Sequence, residues 1–154
     1  MAGQRSLLLA IDLATSRRDE ALAQLQRNMR SEVFAKDQMD QLQQYAQETE
    51  ARWMQGAQVS TSPEMLHHHY QFMARLNQAI TLQDGVLASN RQRVEAAREL
   101  LMEAEFRLAS FKQVLATRQA AITKTRQRQE QKMMDEFASQ QTQRQQRLQA
   151  ENQS

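Results

Sequence analysis

Apolar residues recur at every seventh position through the second half of the chain. The series runs without a polar break from Leu66 to Ile122. Its members are Leu66, Met73, Ile80, Leu87, Val94, Leu101, Leu108, Leu115 and Ile122. A seven-residue period of this length is typical of a helix that packs against another helix in a left-handed coiled coil. The pattern predicts a long helix from residue 63 to about residue 145.

The positions three residues after this series are mixed in character. They are His69, Leu76, Gln83, Asn90, Ala97, Ala104, Phe111, Arg118 and Thr125. Together the two series form a seam, the line of side chains that faces the partner helix. Gln83 and Asn90 place polar groups in this seam, which favours one register at some cost in stability.

The first third of the chain predicts the partner helix, over about residues 5–56. Its predicted seam contains Leu8, Ile11, Thr15, Arg18, Leu22, Leu25, Met29, Glu32, Lys36 and Met39. After Met39 the pattern shifts to Leu42, Tyr45, Thr49 and Trp53. Such a shift predicts a local change in the winding of the coiled coil.

One loop, over residues 57–62, separates the two predicted helices. Gly56 suits a helix C-terminus, Ser62 an N-cap and Pro63 a first helical position. Folding back here pairs residues whose numbers add to about 119. We therefore expect an all-α antiparallel coiled-coil hairpin over residues 1–138, with the second helix longer and overhanging. Residues 139–154 form a Gln/Arg-rich tail that we expect to be frayed or disordered.

Composition agrees with a narrow seam rather than a thick core. The chain has 26 Gln but only 3 Gly and 1 Pro, and its mean hydropathy is −0.78. Turn-rich domains draw on Gly and Pro, whereas a two-helix seam needs apolar residues at only about two of every seven positions. The apolar run near the N-terminus is shorter than a signal-peptide core, and no stretch approaches a membrane span. We expect a soluble cytoplasmic protein.

Residues 112–154 are basic, with eight Lys or Arg against four Asp or Glu. Cations suit the C-terminal end of a helix, and they also suit an acidic partner or nucleic acid. The run from Lys124 to Lys132 is interrupted by Glu130, and no aromatic residues for base stacking are interleaved. We expect no nucleic-acid partner.

Few residues offer a basis for catalysis. The chain has no Cys, and its three His, residues 67–69, are consecutive. Adjacent helical residues point in different directions and do not converge on one metal ion. No Gly-rich phosphate loop is present, and a coiled coil lacks the concave pocket of most active sites. We expect no enzyme activity, metal, cofactor or small-molecule substrate.

Aromatic residues cluster around the loop. Tyr45, Trp53, Tyr70 and Phe72 are four of the eight in the chain. One interpretation is that they close the end of the seam, as we expect for Trp53. The other is that Tyr45 and Phe72 form an exposed patch with nearby apolar residues, since exposed aromatics are typical anchors of protein interfaces.

Two stretches of the chain stand out as specific motifs. The first is the segment 70–80, with the sequence YQFMARLNQAI, just after the loop. The second is the segment 128–138, which contains Gln131-Lys132 followed by Asp135-Glu136-Phe137. Together they resemble the flagellar FliJ family. Chain length, the Leu/Ile-rich start and the single hairpin also agree with this family, so the resemblance covers nearly the whole chain.

The resemblance implies a stalk of the flagellar type III export apparatus. Such a protein binds the hexameric export ATPase, contacts the cytoplasmic linker of the membrane-bound export gate and escorts export chaperones. It would be peripheral to the inner membrane at the flagellar base. The family's gate-binding patch maps onto Gln38, Leu42, Tyr45, Phe72, Leu76 and Ala79. At two edge positions, Thr49 and Gln83, the family often has larger ring-bearing side chains.

For the ATPase contact we expect the start of the first helix together with the basic part of the second. The residues of this ATPase-facing end are Lys124, Arg126, Arg128, Gln131, Lys132, Asp135 and Glu136. Two alternatives remain at this stage. One is the equivalent stalk of a virulence-type secretion system, and the other is a generic coiled-coil spacer.

Overall fold

The computed structural model describes residues 2–153, with side chains from residue 3 onwards. Two helices account for nearly all of this range: α1 is Ala2–Val59 and α2 is Pro63–Asn152. They pack against each other, and no strand occurs among the described residues. The predicted all-α helical hairpin, with the second helix the longer, is confirmed.

Local hydrogen bonds define the turn between α1 and α2. The Ser60 amide donates to the Gly56 carbonyl at 3.1 Å at the end of α1. At the start of α2 the Met65 amide donates to Ser62 Oγ at 3.2 Å, which makes Ser62 an N-cap. Pro63 is the first residue of α2, where a missing amide proton costs nothing.

The helices are longer than the predicted 5–56 and 63–145. α1 extends three residues further at each end, and α2 continues to Asn152 through the segment expected to be frayed or disordered. The residues between 139 and 152 include no Gly or Pro, and most are Gln, Arg, Ala or Leu, which favour helix even where nothing is buried. The single-domain assignment over residues 1–138 stays a prediction.

The chain divides into two compact units, residues 12–107 and residues 1–11 with 108–154. In the first unit, Leu25, Val94 and Ala97 form a buried cluster against which Leu101 packs. The numbers of residues paired across the seam add to values between 117, for Tyr45 with Phe72, and 123, for Glu32 with Arg91. These values bracket the expected 119, and Leu25 meets Val94 as predicted.

The predicted seam of α2 agrees with the observed burial in this unit. Both series are buried or half-buried from His69 to Ala104, including the polar members Gln83 and Asn90. Leu66, at the end next to the loop, is more exposed than its place in the series implies.

The predicted seam of α1 is wrong at Leu8 and at every second position from Leu22 to Lys36. Leu22, Met29 and Lys36 are exposed, and the residue just before each of them faces α2 instead. The observed line is Ala14, Arg18, Ala21, Leu25, Asn28, Glu32, Ala35, Met39, Leu42, Ala46, Thr49 and Trp53. Its spacing alternates between four and three throughout, so the change in winding expected after Met39 does not occur. Alanine occupies four of these twelve seam positions, and bulkier residues such as Leu22 flank the seam.

The second unit combines the start of α1 with the end of α2. Leu7 and Leu108 are its buried residues, and Arg118 Nη1 donates to the Gly3 carbonyl at 3.4 Å. Every described residue of α2 from Ala116 onwards is exposed. These residues include Ile122, Met133, Met134, Phe137 and Leu148, so apolar side chains are left in solvent along this part of the helix.

Candidate interaction surfaces

A groove of about 490 Å³ lies in the unit formed by residues 12–107. Its lining residues are Gln38, Gln41, Leu42, Tyr45 and Gln83. None of the five carries a charge. Three of them present amide groups, which donate and accept hydrogen bonds at once. The groove therefore offers a neutral surface with hydrogen-bonding capacity beside apolar contact.

Tyr45 and Phe72 meet across the two helices next to this groove. Their ring centroids are 6.0 Å apart, with an angle of 80° between the ring planes. This edge-to-face arrangement is favourable for aromatic pairs. Both side chains remain exposed. The structure thus supports the exposed-patch interpretation for this pair, rather than closure of the seam.

The remaining members of the predicted patch differ in accessibility. Gln38 is exposed, whereas Leu42 and Ala79 are half-buried. Leu76 has only 8% of its surface exposed, so it supports the patch from inside the seam and offers little contact area. The structure brings Gln38, Leu42 and Tyr45 together in the groove and joins Phe72 to them through Tyr45.

Two hydrogen bonds hold the Gln83 side chain in the groove. Its Nε2 donates to the Ala35 carbonyl at 2.9 Å and to Gln38 Oε1 at 3.3 Å. These bonds fix the Gln83 side chain between α1 and α2. Gln41, which also lines the groove, carried no signal beyond its spacing of three or four residues from Gln38 and Tyr45.

Trp53 closes the seam near the loop, as predicted. Its ring stacks on His69, with centroids 4.3 Å apart and planes 6° from parallel. His69 Nε2 also lies 3.3 Å from Glu50 Oε2. His67 and His68 are exposed, and no group of acidic, His or Cys side chains suited to a metal ion occurs within residues 2–153.

The predicted ATPase-facing residues lie on the solvent-exposed part of α2. Lys124, Arg126, Arg128, Gln131, Lys132, Asp135 and Glu136 are all exposed. Gln131 Nε2 donates to Asp135 Oδ1 at 3.2 Å, one helical turn along. Four of these seven side chains are basic, and all lie exposed along one segment of a single helix, available to a partner.

Neither helix has a stretch long and apolar enough to cross a membrane over the described residues.

Fold and surfaces define a helical-hairpin interaction protein, with an exposed aromatic patch beside a neutral groove and an exposed basic helical segment. Comparison with protein families then gives the specific assignment. The sequence model of the family described as flagellar FliJ protein matches residues 4–147 of the 154-residue chain. The chain belongs to the flagellar FliJ family and is a coiled-coil protein related to flagellar export. Comparisons with curated proteins and with solved structures found no match.

Proposed function

We propose that this protein is a non-enzymatic stalk that binds and stimulates the flagellar export ATPase and links it to the export gate and to export chaperones. Membership of the FliJ family supports a role in the export apparatus at the flagellar base. One observation carries the finer assignment: an exposed basic stretch and an exposed aromatic patch lie in different structural units of one hairpin. Such an arrangement suits a protein with two different partners.

The ATPase contact is assigned to the basic stretch of α2. Lys124, Arg126, Arg128 and Lys132 are exposed, and their charge is only partly offset by Glu130, Asp135 and Glu136. Basic groups at a surface attract acidic partners and accelerate encounter with them. A helix with apolar residues in solvent, such as Met133 and Phe137, also gains by burial against a partner.

Charge reversal tests the ATPase contact. The hydrolysis rate of the cognate export ATPase is measured with wild-type protein and with the double variant Arg126→Glu and Arg128→Glu. We expect stimulation by the wild type and at least a fivefold smaller stimulation by the variant, because reversed charges repel the same acidic surface.

The matched control is Arg144→Glu with Arg147→Glu, which changes the net charge equally at two exposed arginines further along the same helix. Equal losses in both variants would point to bulk charge rather than a defined contact. Unchanged stimulation by the Arg126 and Arg128 variant would contradict the assignment.

The gate contact is assigned to the patch around Tyr45 and Phe72. Their rings are exposed and positioned by the edge-to-face contact, so they can bury area in a partner with little loss of side-chain freedom. Leu42 and Gln38 extend this surface into the groove, while Leu76 and Ala79 support it from the seam. We expect Tyr45→Ala to weaken binding of the export-gate linker peptide by about tenfold, measured by fluorescence anisotropy.

A generic spacer would tolerate such surface changes, because only the seam would be under constraint. Retained export function with the Tyr45 variant and with the Arg126 and Arg128 variant would therefore favour a spacer over a stalk with defined partners. A motility assay in cells lacking the native protein provides this comparison.

A further inference from the structure

The apolar surface continues past the groove, on the side away from the loop. Phe34 and Leu82 are 64% and 68% exposed, and Val86 is exposed as well. All three belong to the unit of residues 12–107. The seam at this level is already filled by Ala35 and Leu87, which are buried. Phe34, Leu82 and Val86 therefore add nothing to the burial that holds the two helices together.

Helix periodicity places Phe34 and Val86 on the face that carries the groove, whereas Leu82, the residue before Gln83, points away from it. Phe34 precedes Gln41 by seven residues and Gln38 by four, so it extends the line of groove residues on α1. On α2, Val86 follows Ala79 by seven residues and Gln83 by three. The bonds from Gln83 to Ala35 and Gln38 show that these turns of α1 and α2 lie side by side.

The result is a strip with apolar side chains at both ends and amides in the middle. Tyr45 and Phe72 form one end, Phe34 and Val86 the other, and Gln38, Gln41 and Gln83 lie between them. From Phe72 to Val86 is fourteen residues of α2, or about 21 Å along the helix axis. An extended segment of about six or seven residues covers this distance.

The amide groups in the middle of the strip determine which conformation and charge a bound segment can have. A helical segment satisfies its own backbone groups, whereas an extended one exposes amides and carbonyls that glutamine side chains can bond. With no charge among the residues that line the groove, a charged segment would lose its hydration there without gaining a partner.

We propose that the partner of this patch is an extended, uncharged segment with an apolar residue at each end, and that Phe34 and Val86 form the second anchor point. The inference rests on the gate contact proposed above and deepens it. It adds a contact surface outside the six residues of the mapped patch, and it states the conformation of the bound segment.

The experiment measures binding of the export-gate linker peptide to the full chain by fluorescence anisotropy. Four variants are compared: Tyr45→Ala, Phe34→Ala, Val86→Ala and Met102→Ala. Met102 is the control on α2, since it is 67% exposed on the same helix and lies about four turns beyond Val86, away from the groove. All four sites are outside the buried seam, so we expect each variant to retain the helical circular dichroism of the wild type.

We expect Phe34→Ala and Val86→Ala each to raise the dissociation constant by about tenfold, and Met102→Ala to leave it unchanged. The far-ultraviolet dichroism of the mixture should equal the sum of its components, because an extended segment adds no helix. If Tyr45→Ala weakens binding while Phe34→Ala and Val86→Ala match the Met102 control, the second anchor is refuted and the gate contact stands. A gain of helical signal on mixing would refute the extended conformation. Failure of the wild type to bind the peptide would overturn the gate contact and this inference together.

Discussion

Thr49 places a hydroxyl group in the seam where an apolar group would serve. Its Oγ1 is buried and has no hydrogen-bond partner. A buried polar group without a partner costs free energy, because it loses its hydrogen bonds to water on folding and forms none in the protein. Thr49 therefore weakens the seam locally, although its backbone is part of the regular helix α1.

Replacement of Thr49 by Val tests this cost. Val keeps the shape of the side chain and removes the unsatisfied hydroxyl, so we expect the free energy of unfolding to rise by about 1 kcal/mol. Urea unfolding followed by circular dichroism provides the measurement. The control is Thr81→Val, where the hydroxyl is exposed and donates to the Asn77 carbonyl at 3.0 Å. A Thr49 variant no more stable than the control would show that the hydroxyl is solvated in solution.

At the scale of single residues, the sequence predicted aromatic contacts better than polar ones. Aromatic side chains are large, so those clustered near one loop are expected to contact each other. This clustering indicated that Tyr45 and Phe72 would lie close together. The two bonds made by Gln83 depend on where one flexible amide settles between two helices. Nothing in the order of residues specifies that position.

At the scale of elements, α2 was predictable and α1 only partly so. The series on α2 is apolar at every member from Leu66 to Ile122, so periodicity alone located its seam. On α1, bulky Leu22 and Met29 lie one residue after the true seam positions Ala21 and Asn28. The prediction took the larger apolar residue of each pair to be the buried one, and this was wrong in both pairs. Side chains as small as Ala carry too weak a hydrophobic signal to reveal a seam position.

The end of α2 provides a prediction at this scale. Residues 116–152 are helical and exposed, and beyond the bond from Arg118 to the Gly3 carbonyl little tertiary packing supports their backbone hydrogen bonds. Helical stability in proteins comes mostly from such packing. We expect amide hydrogens in residues 116–152 to exchange much faster than those in residues 87–104, measured by mass spectrometry. Equal protection in the two segments would indicate that the end of α2 is covered in solution, for example by a second copy of the chain.

At the scale of the whole molecule, the hairpin is self-contained within one chain. Its seam is filled by side chains of α1 and α2, and the register is fixed by contacts such as that of Leu25 with Val94. Heptad patterns alone would also permit pairing between chains, so the sequence did not decide this point. The loop at residues 60–62 is short and brings α2 back alongside α1, which favours pairing within one chain.

Thermal unfolding at different concentrations tests this organisation. A fold completed within one chain has a midpoint temperature independent of concentration, whereas association raises it. We expect the midpoint to stay constant across about a hundredfold range of protein concentration, monitored by circular dichroism. A midpoint that rises with concentration would show that copies of the chain share a seam.

The contacts between the helices are almost free of charge. Within residues 2–153, Arg91 forms an ion pair with the half-buried Glu32, and His69 Nε2 lies 3.3 Å from the exposed carboxylate of Glu50. Other polar links between the helices come from the amides of Asn28 and Gln83 and from the guanidinium of Arg118, which donates to the uncharged Gly3 carbonyl. Dissolved ions screen exposed charges but leave hydrogen bonds between uncharged groups and apolar packing largely unaffected. Ionic strength can therefore be varied without loosening the hairpin, so the salt dependence of partner binding will report on charges that meet between molecules.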